Sequence, residues 1–293
     1  MTDKLREKLI NGGRVLVDEG QGDYVWGHIS ARLPNDPGKF LMKPGCLGIE
    51  EMTADNIITV DIEGEKIAGD WPRHNEVYIH SEVMRARPDV NCVIHTHPEH
   101  AIAFSSLGKD LLPMSNDGTM FSAGVPIFSE TTDLIITQDR GKAVAKSLGD
   151  RSAVILRNHG IVTAGRTIDE AVFVAIKLER ACRIQLLAEQ AGGPKLFVKE
   201  EELAAKRGRT NRGDSQGNAF SYLVRRWHLR CNCEVRKEYH RRRRLDARPD
   251  IAHPAGQRSG HRQVAALGFV EVAGDPGRVS RPRRRSSASI SSR

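Results

Sequence analysis

The run CVIHTHPEH, residues 92–100, decides how the whole chain is read. Cys92, Val93 and Ile94 form an apolar lead-in, and Pro98 stops any strand that they begin. Residues i and i+2 of a strand face the same way, so His95 and His97 project from one side at its end. Two readings are open on these residues alone. Either the pair grips one metal ion at the rim of a cleft, or it closes an ordinary core strand with two solvated imidazoles.

Outward from that strand, the spacing of apolar residues predicts a helix over Asn75–Arg87, ending where Pro88 disfavours helix in the residue before it. EHAIAFSSLG (99–108) follows as a helix closed by Gly108. Towards the N-terminus, residues 2–18 read as an amphipathic helix with Thr2 as N-cap. DYVWGHISARL (23–33) and KFLMK (39–43) read as strands split by the turn-rich PNDPG, and Ile57–Asp61 as a strand after a helical turn. Towards the C-terminus come a strand in AGVPIFS (123–129) and a helix in TQDRGKAVAKSLG (137–149). SAVILRNHGIVTAG (152–165) gives two β-rich runs broken at Asn158-His159-Gly160. The strongest helix starts at a Thr167-x-x-Glu170 capping box and stops at Gly192-Gly193. Strands and helices alternate without a regular βαβ beat. The expected fold is therefore α/β of the α+β type, with a largely antiparallel central sheet flanked by helices, and not a doubly wound parallel sheet.

The chain has 293 residues and a formal net charge of +8, which invites a nucleic-acid reading. Residues 229–293 dispel it: they hold 15 Arg, one Lys and six acidic residues, a net of +10. Residues 1–228, with 29 basic and 31 acidic side chains, stand at −2. The sequence thus divides into a nearly neutral domain, 1–228, and an Arg-rich tail, 229–293, expected to be disordered and to take no part in catalysis. The Lys:Arg ratio is 12:17 in the first part and 1:15 in the second, as translation out of frame beyond about Trp227 would produce. Cys231 and Cys233 lie in this tail, and a Cys-x-Cys without a second pair fits zinc modules poorly. No apolar run approaches the roughly 20 residues of a membrane span, and MTDKLREKLI lacks the marks of a secretory signal. Five scattered cysteines fit reduced thiols in a cytoplasm.

His159, which follows an apolar strand and precedes a glycine that permits a tight backbone excursion, is either a turn residue or a third ligand. Three imidazoles from two strand ends would make an open three-ligand site of the catalytic zinc kind. Glu76, at the start of the helix leading into CVIHTH, is either a carboxylate stabilised by the helix dipole or a fourth ligand and proton carrier. His80, one turn on, is a rival ligand.

Glu76, then RPDVNCVIHTHPEHAIAFS (87–105), then ILRNHGIVTAGRTIDEAV (155–172) together resemble the class II aldolase/adducin family, over residues 4 to 200. The resemblance implies a three-layer fold with the sheet between helical layers, assembled as a homotetramer with sites at subunit boundaries. It makes His95, His97 and His159 ligands of one divalent ion per subunit, zinc ahead of manganese, iron or cobalt. Glu76 then completes the resting site and shuttles protons. Adducin-like members lack these histidines, so the resemblance places this chain with the enzymes.

Sugar-phosphate aldolases of the family cradle a phosphate with small donors. At the matching places this chain has Gly27-His28-Ile29-Ser30, Gly45-Cys46 and Arg73-His74-Asn75. Arg73 suits a planar carboxylate held by two parallel hydrogen bonds, and His28 and His74 suit phenolic oxygens or a second carboxylate. His28, Ser30, Arg73, His74 and Asn75 are thus the expected substrate contacts. The resemblance implies a lyase that decarboxylates a hydroxylated aromatic acid, such as 3,4-dihydroxyphthalate to protocatechuate. Its rivals are an aldolase for a non-phosphorylated hydroxy acid, an iron oxygenase for a prenylated aromatic acid, and an adducin-like interaction protein that binds no metal.

Overall fold

The computed structural model describes residues 2–210 and 213–246. Strand β5 (Cys92–Thr96) lies near the middle of an eight-stranded sheet. On one side of it come β1 (His28–Leu33), β2 (Asp36–Met42), β3 (Ile58–Asp61) and β4 (Lys66–Ala68). On the other come β8 (Gly160–Gly165), β7 (Ala153–Leu156) and β6 (Ile127–Phe128). Every pairing is antiparallel except β6 with β7. The largely antiparallel sheet expected from the irregular element order is present.

The central strands read as unbroken apolar runs because both faces of the sheet are covered. Alternate residues enter different cores: Cys92 and Ile94 join Ile29, Ile155 and Ile161 in one, while Val93 joins Phe40, Val154 and Val162 in the other. The first core is roofed by α1 (Thr2–Asp18), α3 (Glu99–Ser105) and α5 (Ile168–Gln190). The second is roofed by α2 (Val77–Ala86) and α4 (Gln138–Leu148). This is the three-layer arrangement. Burying each of Ile29, Ile94 and Ile161 is worth about 1.5–3 kcal/mol, which holds β1, β5 and β8 in one register. In that register His28 faces His95 across the β1–β5 pair.

Some boundaries differ from the sequence reading. The first strand begins at His28 rather than Asp23, because Tyr24 turns the chain with φ +45. α2 begins at Val77, leaving Glu76 as its N-cap with φ −86 and ψ 30. After α5 the chain forms α6 (Glu200–Thr210) and α7 (Gly213–Asp246).

No break falls at residue 228, where the tail was expected to begin without regular structure. α7 continues to Asp246 because residues 229–246 contain neither Gly nor Pro and are rich in the good helix formers Arg, Lys, Glu and Leu. The next proline is Pro249. The start of α7 is anchored by Phe220 in the first core and by Arg226, whose Nε donates to Asp18 Oδ2 at 2.9 Å. The rest of the expected disordered tail, 247–293, lies outside the described residues.

Candidate metal centre

Three local devices bring the histidines together. His95 sits on the α2-facing side of β5, in step with Val93, and is fully buried. His97 follows just past the strand end. His159 stands in the turn between β7 and β8, where Asn158 takes φ +55 and Gly160 lets the chains close. A Cβ on Gly160 would lie 2.5 Å from the Thr96 carbonyl and 2.7 Å from His97 Cδ2. Gly160→Ala is therefore expected to lower metal content along with melting temperature. Calorimetry beside metal analysis checks this, and a stable, fully loaded variant would contradict it.

Ligand-type atoms of Glu76, His95, His97 and His159 all lie within 4.8 Å of one another. Glu76 Oε1 is 3.8 Å from His159 Nε2, and Oε2 is 3.7 Å from His95 Nε2. His95 Nε2 and His97 Nε2 are 3.0 Å apart. Their hydrogens are not shared between them. His95 Nδ1 is 2.9 Å from the Ile161 carbonyl, which can only accept, so Nδ1 carries the hydrogen. His97 Nδ1 likewise donates to Asp23 Oδ2 at 2.6 Å. In the neutral rings both Nε2 atoms are then bare lone pairs facing each other at 3.0 Å, an arrangement that repels unless a cation lies between them.

The electrostatics agree with that fit. Burial holds His95 well below the ordinary imidazole range, with the charges of His97 and His159 adding to the effect. Burial, and then His97, brings His159 down to about 4. These are neutral imidazoles, the form that binds metal. Glu76 is 2% exposed, and burial pushes its carboxyl up, while one backbone hydrogen bond, from Ile135 N–H to Oε1 at 2.8 Å, pulls the other way. A buried carboxylate with one donor, uncharged imidazoles beside it and the like charge of Asp133 nearby is stabilised by a cation. The nitrogen-rich, four-donor set suits zinc and other imidazole-binding transition metals.

Above the centre opens a cavity of about 890 Å³. Arg73, His74 and Asn75 line it, as expected of substrate contacts. His28 and Ser30 do not: β1 is an inner strand, so its α2-facing side chains are fully buried, and the Ser30 hydroxyl bonds His80 Nδ1 at 2.6 Å. His80 is no ligand in the main cluster, since both its nitrogens are engaged, by Ser30 and by His28. Burial takes it down to about 3. Sequence reasoning missed Asp23, the Ile135 N–H and the walls formed by Trp26, Pro72 and Leu134. The exposed apolar Trp26 and Leu134 were the sole local hints.

Asp23 orients His97 from 74 residues away. Asp23→Ala is expected to weaken metal affinity roughly 10–100-fold, the usual cost of losing such a partner. Competition with a chromophoric chelator measures it, and unchanged affinity would exclude the role.

A mixed sheet between two helical layers, with a His3Glu cluster at the ends of its central strands, defines a metal-lyase type of architecture. The chain belongs to the class II aldolase and adducin N-terminal domain family, whose model matches residues 7–186. It is 30% identical over 214 residues to a 3,4-dihydroxyphthalate decarboxylase of Arthrobacter keyseri, covering 68% of this chain and 84% of that protein. It is 34% identical over 173 residues to a 4-hydroxy-3-prenylphenylpyruvate oxygenase/4-hydroxy-3-prenylbenzoate synthase of Streptomyces roseochromogenus subsp. oscitans. That match covers 58% of this chain, which spans 62% of the relative's length. Among solved structures, an L-fuculose 1-phosphate aldolase from Glaciozyma antarctica PI12 matches with a TM-score of 0.70 at 31% identity, covering 78% of this chain and 90% of that one. Among the described residues no helix is long and apolar enough to cross a membrane.

Proposed function

We propose that the protein is a divalent-metal-dependent carbon–carbon lyase that decarboxylates a hydroxylated aromatic acid, with 3,4-dihydroxyphthalate as the leading candidate and protocatechuate as its product. One observation carries the reading. Arg73 lines the cavity beside the His–Glu cluster and has no acidic partner among the described residues. Of the three carboxylates lining the same cavity, Asp23 and Asp133 are already bonded to His97 and Arg140, and Glu76 accepts from Ile135 N–H within the His–Glu cluster. A guanidinium bonded to the His74 carbonyl and seated 5.8 Å over the Tyr78 ring, with no carboxylate on it, suits a flat anion better than a sugar. The names of relatives such as the Arthrobacter decarboxylase point the same way.

When bound at His95, His97 and His159, the ion supplies positive charge that takes up the electrons of the severed bond. The other tasks fall to the chain. Arg73 holds the retained carboxylate by paired N–H donors and so orients the ring. Trp26, Pro72 and Leu134 flank the ring and limit water. Glu76, with Oε1 held by Ile135 N–H, delivers a proton to the ring carbon as carbon dioxide departs, and water reprotonates it. Zinc is the proposed ion, with manganese, iron or cobalt as substitutes.

A homotetramer is proposed as the working assembly, supported by the exposed apolar Trp26 and Leu134 of the cavity wall and by the exposed Tyr24 and Ile136 close to them in sequence. The unbridged, buried Cys92 and Cys182 support work in a reducing cytoplasm. The test is a panel of hydroxylated phthalates and benzoates assayed for carbon dioxide, run anaerobically beside hydroxy acids assayed for aldehyde. Aldehyde release without carbon dioxide would replace the reading with an aldolase. A requirement for oxygen would replace it with an oxygenase.

A further inference from the structure

Below the cavity floor, three polar side chains bond one another and stay apart from the steps above. His28 and Ser30 share the α2-facing side of β1, and His80 reaches between them from α2. Ser30 Oγ is 2.6 Å from His80 Nδ1, and His80 Nε2 is 2.5 Å from His28 Nδ1. All three residues are fully buried. The string ends at His28 Nε2, which has no hydrogen-bond partner and lies 3.9 Å from Glu76 Oε2.

Each of the two contacts carries one hydrogen, so the string has two arrangements. In the first, the Ser30 hydroxyl donates to His80 Nδ1, His80 Nε2–H donates to His28 Nδ1, and His28 Nε2 bears a hydrogen. In the second, His28 Nδ1–H donates to His80 Nε2, His80 Nδ1–H donates to Ser30 Oγ, and His28 Nε2 is a bare lone pair. The consequences differ. With a bare Nε2, His28 joins His74 and Glu76 as a second cation site, since their ligand-type atoms lie within 4.8 Å of one another. With a protonated Nε2, it is a donor and that second site is closed.

Charge selects between them. Glu76 Oε2, an acceptor, lies 3.9 Å from His28 Nε2, and the His74 ring, whose Nδ1 already accepts from Glu76 N–H, lies beside His28 at 4.0 Å between centroids. Lys43 is fully buried, donates to the Val25 carbonyl at 2.5 Å, and its charge bears on both His28 and His74. A second ion there would face that ammonium, with Glu76 shared between two cations in a poorly solvated place. We propose that Ser30 and His80 are positioning residues that hold His28 as an Nε2–H donor towards Glu76, so that the centre takes one ion. His28 then turns its N–H dipole towards the Oε2 end of Glu76 across 3.9 Å, beyond hydrogen-bond length, while the Ile135 N–H bonds the Oε1 end at 2.8 Å. This deepens the proposed lyase reading, because it aims the carboxylate assigned to proton delivery.

Three measurements test it. Neutron diffraction from deuterium-exchanged crystals of the zinc-loaded protein is expected to show deuterium on His28 Nε2 and His80 Nε2. Metal analysis after zinc loading is expected to give one ion per chain. His80→Leu, which removes the donor, is expected to lower kcat about tenfold or more with little change in KM. His80→Gln, whose amide can donate to His28 and accept from Ser30, is expected to recover most of it. Deuterium on His28 Nδ1, a second ion per chain, or equal impairment by leucine and glutamine would each overturn the proposal. If no aromatic acid releases carbon dioxide, the activity reading fails, while the neutron and metal arms still decide this one. They also decide it if His80→Leu does not fold.

Discussion

A His97→Ala variant is expected to purify without its ion and to be inactive over the whole substrate panel. The reason is geometric. His97 Nε2 stands 3.0 Å from His95 Nε2, and both Nδ1 atoms are committed to acceptors, so the pair is built to share one cation. Removing one of the two imidazoles should cost more than the roughly 10–100-fold in affinity attached to an outer partner such as Asp23. A second signature follows. Without metal, the wild-type lone pairs repel, so the metal-free variant is expected to be at least as stable as the metal-free wild type. With zinc at 100 times its dissociation constant, the wild type gains about 2.7 kcal/mol and the variant gains little. Thermal melts with and without zinc read this directly. His100→Ala is the control, because His100 is bonded to Glu179 away from the cluster, and its metal content should not change. Normal zinc uptake by His97→Ala would remove the proposed centre.

Glu76→Gln separates holding the ion from doing the chemistry. Glutamine keeps an oxygen to accept from Ile135 N–H, so α4 and the loop before it should stay in place. Three imidazoles remain for the ion, and metal content is expected to be unchanged. What disappears is the group that carries a proton, a contribution worth roughly 10²–10⁴-fold in rate. The expected result is a kcat lower by that factor at near-constant KM and near-constant zinc. Full turnover in this variant would take the proton step away from Glu76 and leave it a structural carboxylate.

Much of the centre was legible before any coordinates. His95 and His97 fall two apart at a strand end before Pro98, although β5 itself stops at Thr96, and His159 precedes a glycine at the end of another apolar run. Their convergence required β5 and β8 to be neighbours, which no local spacing states and which the β5–β8 pairing realises. Less legible were residues whose role depends on packing. Ser30 was expected to meet substrate, yet its strand is internal and its hydroxyl is spent on His80. The helical reach of α7 was hidden by its arginine content, which resembles an unstructured tail although it also favours helix.

By itself, the sequence determined the order of the main strands and helices from α1 to α5, the placing of two imidazoles two residues apart at one strand end, and the glycine that lets His159 approach. These follow from backbone periodicity and sterics, which act over a few residues. Tertiary structure alone decided which nitrogen of each histidine is free, because Asp23, Ile161 and His80 reach their partners across 74, 66 and 52 residues of chain. Hydrogen bonds formed at such separations depend on which side chains the packed sheet brings within 3 Å, and no local spacing encodes that.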